Sequence, residues 1–147
     1  MTRIRSTAAI ARPPAEVFAF VTTPGHWPDW HPSSLGVSGA TDHSLAPGEQ
    51  VTERYRVAGA EGTVVWTVTA REEPVRWTIS GEIVGRGFGG TVSYELTPDE
   101  GRATRFERVF EYPTPEPAAL AEQVERQIQS ESDEAVRRLK ARLEANS

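Results

Sequence analysis

The sequence predicts an α+β domain: a curved antiparallel sheet of about seven strands, wrapped on one long C-terminal helix. Three observations carry this. Period-two alternation dominates from about residue 35 to 112. A helical apolar repeat of nearly thirty residues follows Pro117. A short strand and two short helical segments precede the alternating region. The chain has 147 residues, a length that one hydrophobic core serves, so residues 1–147 are read as a single domain.

Residues 3–11 alternate loosely, with Ile4, Ala8 and Ile10 on one face of a first strand. Pro13 and Pro14 end it and suit the first turn of a helix, in which Val17, Phe20 and Val21 have helical spacing. The segment from Thr23 to Pro32 holds Pro24, Pro28 and Pro32, so only a turn or two of distorted or 3₁₀ helix fits there.

Five alternating segments are then separated by turn residues. Val51, Glu53, Tyr55 and Val57 share one face, as do Val64, Trp66, Val68 and Ala70. The same holds for Val75, Trp77, Ile79 and Ile83, for Val92, Tyr94 and Leu96, and for Phe106, Arg108, Phe110 and Tyr112. One apolar and one polar face describe an antiparallel meander. In the last helix Leu120, Val124, Ile128, Ala135, Leu139 and Leu143 form a stripe, with Thr114 expected to help cap the start. Acids concentrate before residue 135 and bases after it, which complements the helix dipole.

Composition excludes several functions. The net charge of −5 disfavours phosphate neutralisation, so no nucleic-acid partner is expected. With no cysteine, disulfides, thiolate metal sites and Cys nucleophiles are excluded. The longest apolar run, Val17–Val21, is far below the roughly 20 residues of a membrane span, and Arg3, Arg5 and Arg12 interrupt any export signal. A cytoplasmic protein is expected. His26, His31 and His43 lack the spacing of a ligand pair, so no metal is expected. Gly85–Gly90 is not a phosphate loop, because a strand and not a helix follows it. It reads as a hairpin, and with Gly81 it marks bends or bulges in the sheet.

A meander exposing one apolar face must cover it, and only one long helix is available. A curled sheet on one helix leaves space unless large side chains fill it. The order of elements, with PPAEVFAFV and the HWPDWHP segment, resembles the START/helix-grip superfamily, which includes birch-pollen-allergen-like proteins, and within it the polyketide cyclase/dehydrase branch. The resemblance covers nearly the whole chain. It implies a cavity between sheet and helix for a small apolar, aromatic or polyketide-like molecule, which the protein either carries or cyclises and dehydrates. No cofactor is implied.

Three polar residues interrupt the inward faces: Glu53, Arg108 and Glu131, the last followed by Ser132. Buried charges must be paired or wet. Arg108 is suited to hold a carboxylate, phenolate or enolate, and Glu53 or Glu131 to act as a general base if desolvated. The alternative is a structural Arg–Glu bridge, or a register that places Glu53 or Arg108 outside. Trp27 and Trp30 are placed at the cavity mouth or as its plug, with His26 and His31 in solvent. Ligand-lining candidates are Trp27, Trp30, Tyr55, Trp66, Trp77, Tyr94, Phe106, Arg108, Phe110, Ile128 and Ser132. Competing readings are a lipid or quinone carrier or sensor, and a chaperone-cofactor-like interaction module, which would have a filled core. A monomer or homodimer is expected.

Overall fold

The first strand of the chain pairs with the last and forms one edge of the sheet. In the computed structural model, which describes residues 1–145, β1 (Thr2–Ile10) runs antiparallel to β7 (Ala103–Tyr112), from Thr2 opposite Tyr112 to Ile10 opposite Thr104. Between them in the chain come β2 (Ser34–Gly39), β3 (Gln50–Val57), β4 (Ala60–Glu72), β5 (Arg76–Ile83) and β6 (Gly87–Asp99). The seven strands form one antiparallel sheet in the order β1-β7-β6-β5-β4-β3-β2. The last two positions of the expected 1–147 domain, Asn146 and Ser147, lie outside the described residues.

Helix α1 (Pro14–Val21) begins at the proline pair, where fixed φ and absent N–H groups cost nothing. It buries Val17, Phe18 and Val21. Thr22 ends it, its hydroxyl donating 2.7 Å to the Phe18 carbonyl. A 3₁₀ turn at Pro24–His26 runs into the single turn α2 (Trp27–Trp30), as three prolines in ten residues require. Trp27 Nε1 donates 2.9 Å to the Val21 carbonyl and fixes α2 on the end of α1.

Helix α3 (Ala118–Glu144) spans 27 residues and packs mainly along β1 and against α2. Ser6 Oγ donates to Asp133 at 2.7 Å, and Lys140 Nζ donates to the Ala9 carbonyl at 2.6 Å. Its buried face begins only at Ile128 and continues through Ser132, Ala135, Val136, Leu139 and Leu143. Leu120, expected in that stripe, is 43% exposed because the covered face starts two turns later. Thr114 does not cap the helix. Pro117 holds the N-cap position without a side-chain bond, and the Thr114 hydroxyl meets that of Thr2 at 2.8 Å.

The main core runs from Ile10 of β1 across the sheet to Val51 of β3, and Ile4, Tyr112 and Ile128 form a second, smaller cluster. Trp30, Trp77, Phe18, Phe106, Ile10, Leu45 and Leu139 are all fully buried. Trp77 stacks on Tyr94 with centroids 5.5 Å apart, and Tyr94 meets Phe106 at 5.3 Å.

A candidate ligand cavity beside a buried arginine

The sheet and α3 enclose a cavity of about 380 Å³. Strand alternation directs Tyr55 and Glu53 of β3, Trp66 and Val64 of β4, Tyr94 of β6, and Arg108 and Phe110 of β7 into it. Helix α3 contributes Ile128, Glu131 and Ser132, and the α2 region contributes Trp27, His31 and Ser33. Arg86, Phe88 and Gly89 of the β5–β6 hairpin and Pro113 lie at the exposed end.

Two glycines shape the floor. Gly62 stands opposite Tyr55 and Gly81 opposite Trp66. A Cβ at Gly81 would lie 2.7 Å from the Trp66 ring, so the indole packs directly against bare backbone. A Cβ at Gly62 would collide with the Tyr55 ring in the same way. The sheet also shifts register between Gly81 and Glu82, where the sequence places a bend.

Arg108 is 7% exposed. Its Nη1 donates 3.0 Å to Ser132 Oγ, and its guanidinium lies 5.6 Å over the Phe110 ring. Its Nε finds no acceptor among the described residues. Tyr94 stands directly across the β6–β7 ladder from Arg108. Burial pushes the Tyr94 hydroxyl up to about 12, with Arg108 pulling the other way. Burial likewise lowers the Arg108 pKa.

Glu53 and Arg108 share the cavity without forming an ion pair. Glu53 Oε1 accepts from Trp66 Nε1 at 2.9 Å. Burial raises its pKa, against the pull of its hydrogen bonds and of Arg108. Glu131 instead ties three elements together: its carboxylate accepts from Ala58 N at 3.2 and 3.1 Å and from Ser33 Oγ at 3.3 Å. Desolvation raises its pKa too.

Three expected lining residues do not reach the cavity. Trp30, Trp77 and Phe106 are solid core, each fully buried. Trp77 Nε1 is held by the Leu45 carbonyl at 3.0 Å, and Trp30 packs on Tyr94 at 6.2 Å. They share a face with the lining residues, but α1, α2 and the C-terminal half of α3 cover their end of the sheet. The histidines also depart from expectation. His26 stacks on Phe20 at 4.2 Å. His31 lines the cavity, its Nδ1 accepting from Ser33 N at 3.1 Å. Burial, then the charges of Arg108 and Arg138, hold its pKa well below the usual value, so it is neutral at pH 7. Nothing in the local sequence marks His31, because its enclosure depends on α3 crossing above it. Tyr112, Phe88 and Ser33 are further lining residues absent from the sequence-based set. Of these, Tyr112 had the clearest signal, the inward alternation of β7.

A family model described as polyketide cyclase/dehydrase and lipid transport matches residues 1–144. The chain belongs to this family. No curated protein matches it in sequence. Among solved structures it is similar to protein Ms6760 from Mycobacterium smegmatis, at 24% identity and a TM-score of 0.72, covering 99% of this chain and 92% of that one. A START superfamily protein from the same organism has 17% identity and a TM-score of 0.72, with 99% of each chain covered. DynU16, described as a putative protein in the dynemicin biosynthetic locus, has 20% identity and a TM-score of 0.70, covering 99% of this chain and 48% of that one. These likenesses establish the helix-grip fold of the START superfamily. Among the described residues no helix is long and apolar enough to cross a membrane.

Proposed function

We propose that this member of the family holds a small apolar molecule, aromatic or polyketide-like, inside the cavity between sheet and α3. The observation that carries this reading is the hollow itself: about 380 Å³, within the roughly 300–1,000 Å³ of small-molecule sites, walled by aromatic and aliphatic side chains with a few polar groups among them. A protein-interaction module would need no such space, and its core would be filled. The family description supports the reading, and so does the fold shared with START proteins.

A catalytic version is favoured by one arrangement. Arg108 can stabilise an enolate oxygen, and Glu53 or Tyr94, each shifted upward by burial, can move a proton in the same enclosure. Cyclisation with dehydration would then proceed by positioning plus proton transfer.

The test is native mass spectrometry of freshly purified protein, with a thermal-shift screen of aromatic acids, flavonoids, sterols and quinones. Stabilisation that grows with ligand concentration supports binding. No stabilisation by any class would overturn it. Incubation of a bound polyketide-like ligand separates carrier from catalyst: a catalyst releases a product lighter by one water.

A further inference from the structure

The strongest anomaly in the molecule is a buried cation without an anion. Among the described residues no carboxylate lies within 4.0 Å of the Arg108 guanidinium. The chain treats its surface arginines differently: Arg56 pairs with Glu61, Arg76 with Glu72 and Glu95, and Arg138 with Glu134. Pairing matters least at such exposed positions. It matters most at Arg108, where water is largely excluded.

Both carboxylates of the cavity are committed elsewhere. Glu131 is held by Ala58 N and Ser33 Oγ, and Glu53 by the Trp66 indole. What touches Arg108 is neutral, the Ser132 hydroxyl and the Phe110 ring face, with Tyr94 across the ladder, and Glu53 acts on it only from beyond ion-pair distance. The hydroxyl orients the guanidinium without neutralising it. This is a charge fixed in place and buried, with no carboxylate in contact to pair it.

We infer that the cavity takes a ligand with one acidic oxygen group, which supplies the missing anion at Arg108, joined to an aromatic body that lies along Trp66 and Tyr55 toward Phe88. This rests on the cavity-binding reading above and names the ligand class. The orientation follows from exposure. Arg108 and Tyr94 are 7% and 3% exposed and form the inner end, whereas Phe88 is 47% exposed and marks the outer end. The acidic group therefore points inward, and the aromatic body extends toward the outer end. A carboxylate suits a guanidinium better than a neutral oxygen does, because charge-assisted hydrogen bonds are about twice as strong as neutral ones.

The experiment uses titration calorimetry at pH 7 on the full chain with four probes: 2-naphthoic acid, its methyl ester, 2-naphthol and dodecanoic acid. The expected result is that 2-naphthoic acid binds at least about tenfold more tightly than the ester. Arg108→Met should remove that preference, bringing the acid-to-ester affinity ratio to within about twofold of unity. Arg108→Lys, which keeps the charge but loses the planar fork, should fall between. Circular dichroism and thermal melting establish that each variant is folded. If Arg108→Met does not fold, the Arg108→Lys result and the wild-type acid–ester ratio decide. 2-Naphthol, neutral at this pH, should bind like the ester; binding as tight as the acid would overturn the requirement for charge. Dodecanoic acid should bind more weakly than 2-naphthoic acid, and the reverse order would overturn the aromatic body. Equal affinity for acid and ester overturns the inference and leaves the cavity reading intact. Binding of none of the four overturns both.

Discussion

Beneath α1 and α2 the inner face of the sheet is solid, and beneath the middle of α3 the same face is hollow. The two regions share strands and alternation. On β7, Phe106 is fully buried in the solid end, and Phe110, four residues on, lines the cavity. On β6 and β5, Tyr94 faces the cavity while its ladder partner Trp77 does not. Residue type does not separate the regions, since both are rich in aromatics. The covering helix separates them. Over the solid end α3 presents Ala135, Val136, Leu139 and Leu143, joined by Phe18 and Val21 of α1. Over the hollow it presents Ile128, Glu131 and Ser132. A polar pair in an apolar stripe cannot collapse onto the sheet as leucine does, so space persists.

Phe106→Ala should test this most severely. It should cost about 3–5 kcal/mol in urea denaturation, because a filled region cannot collapse around the loss. Phe110→Ala should cost about half as much, since part of that ring already faces open space. Arg108→Met, between them, should change stability by less than about 1 kcal/mol, because it removes a buried charge with no carboxylate in contact. Equal costs for the two phenylalanines would break the comparison.

Gly81→Val sharpens it from the floor of the hollow. The new side chain would meet Trp66 ring carbons at 2.7 and 2.8 Å and a Val64 methyl at 2.9 Å. A loss of about 1–3 kcal/mol in a thermal melt is expected, with ligand stabilisation abolished as the indole swings into the cavity.

Glu131→Ala should cost about 1–2 kcal/mol by leaving the Ala58 N–H and Ser33 hydroxyl without their acceptor, while Glu131→Gln retains most of that stability. A Glu131→Ala variant as stable as the parent would show that the carboxylate does not hold the β3–β4 turn against α3.

The smallest effect is a slope with pH. His31 is held neutral in the fold but titrates near 6.5 when unfolded. The unfolded chain therefore takes up its proton first, and the contribution of His31 to stability is present above pH 6.5 and lost as pH falls toward its depressed folded value. Glu53 and Glu131 act oppositely. Their folded pKa values lie above 4.5, so their contribution is full below pH 4.5 and is lost as pH rises through the raised values. Urea midpoints of His31→Gln should fall less than those of the parent between pH 6.5 and 5. Parallel curves would place the imidazole in water.

Much of this molecule could be read from residue order. Period-two alternation located the strands that build the cavity, the proline pair located α1, and the interruption of the α3 stripe at Glu131 and Ser132 marked the polar wall. The inward alternation of β7 singled out Arg108. The sequence could not tell Trp66 from Trp77, or Phe110 from Phe106, because lining and core residues obey the same alternation. His31 was hidden for a related reason: its enclosure is made by α3, a hundred residues later in the chain.

Local periodicity alone determined the element types and the side of each element that turns inward, because those follow from backbone geometry within a few residues. Only the tertiary structure decided which inward residues touch one another and which face empty space. That depends on where α3 crosses the sheet and where bare glycine lets an indole approach the backbone. It also depends on whether Glu53 reaches Arg108, and in the folded chain that carboxylate is held by Trp66.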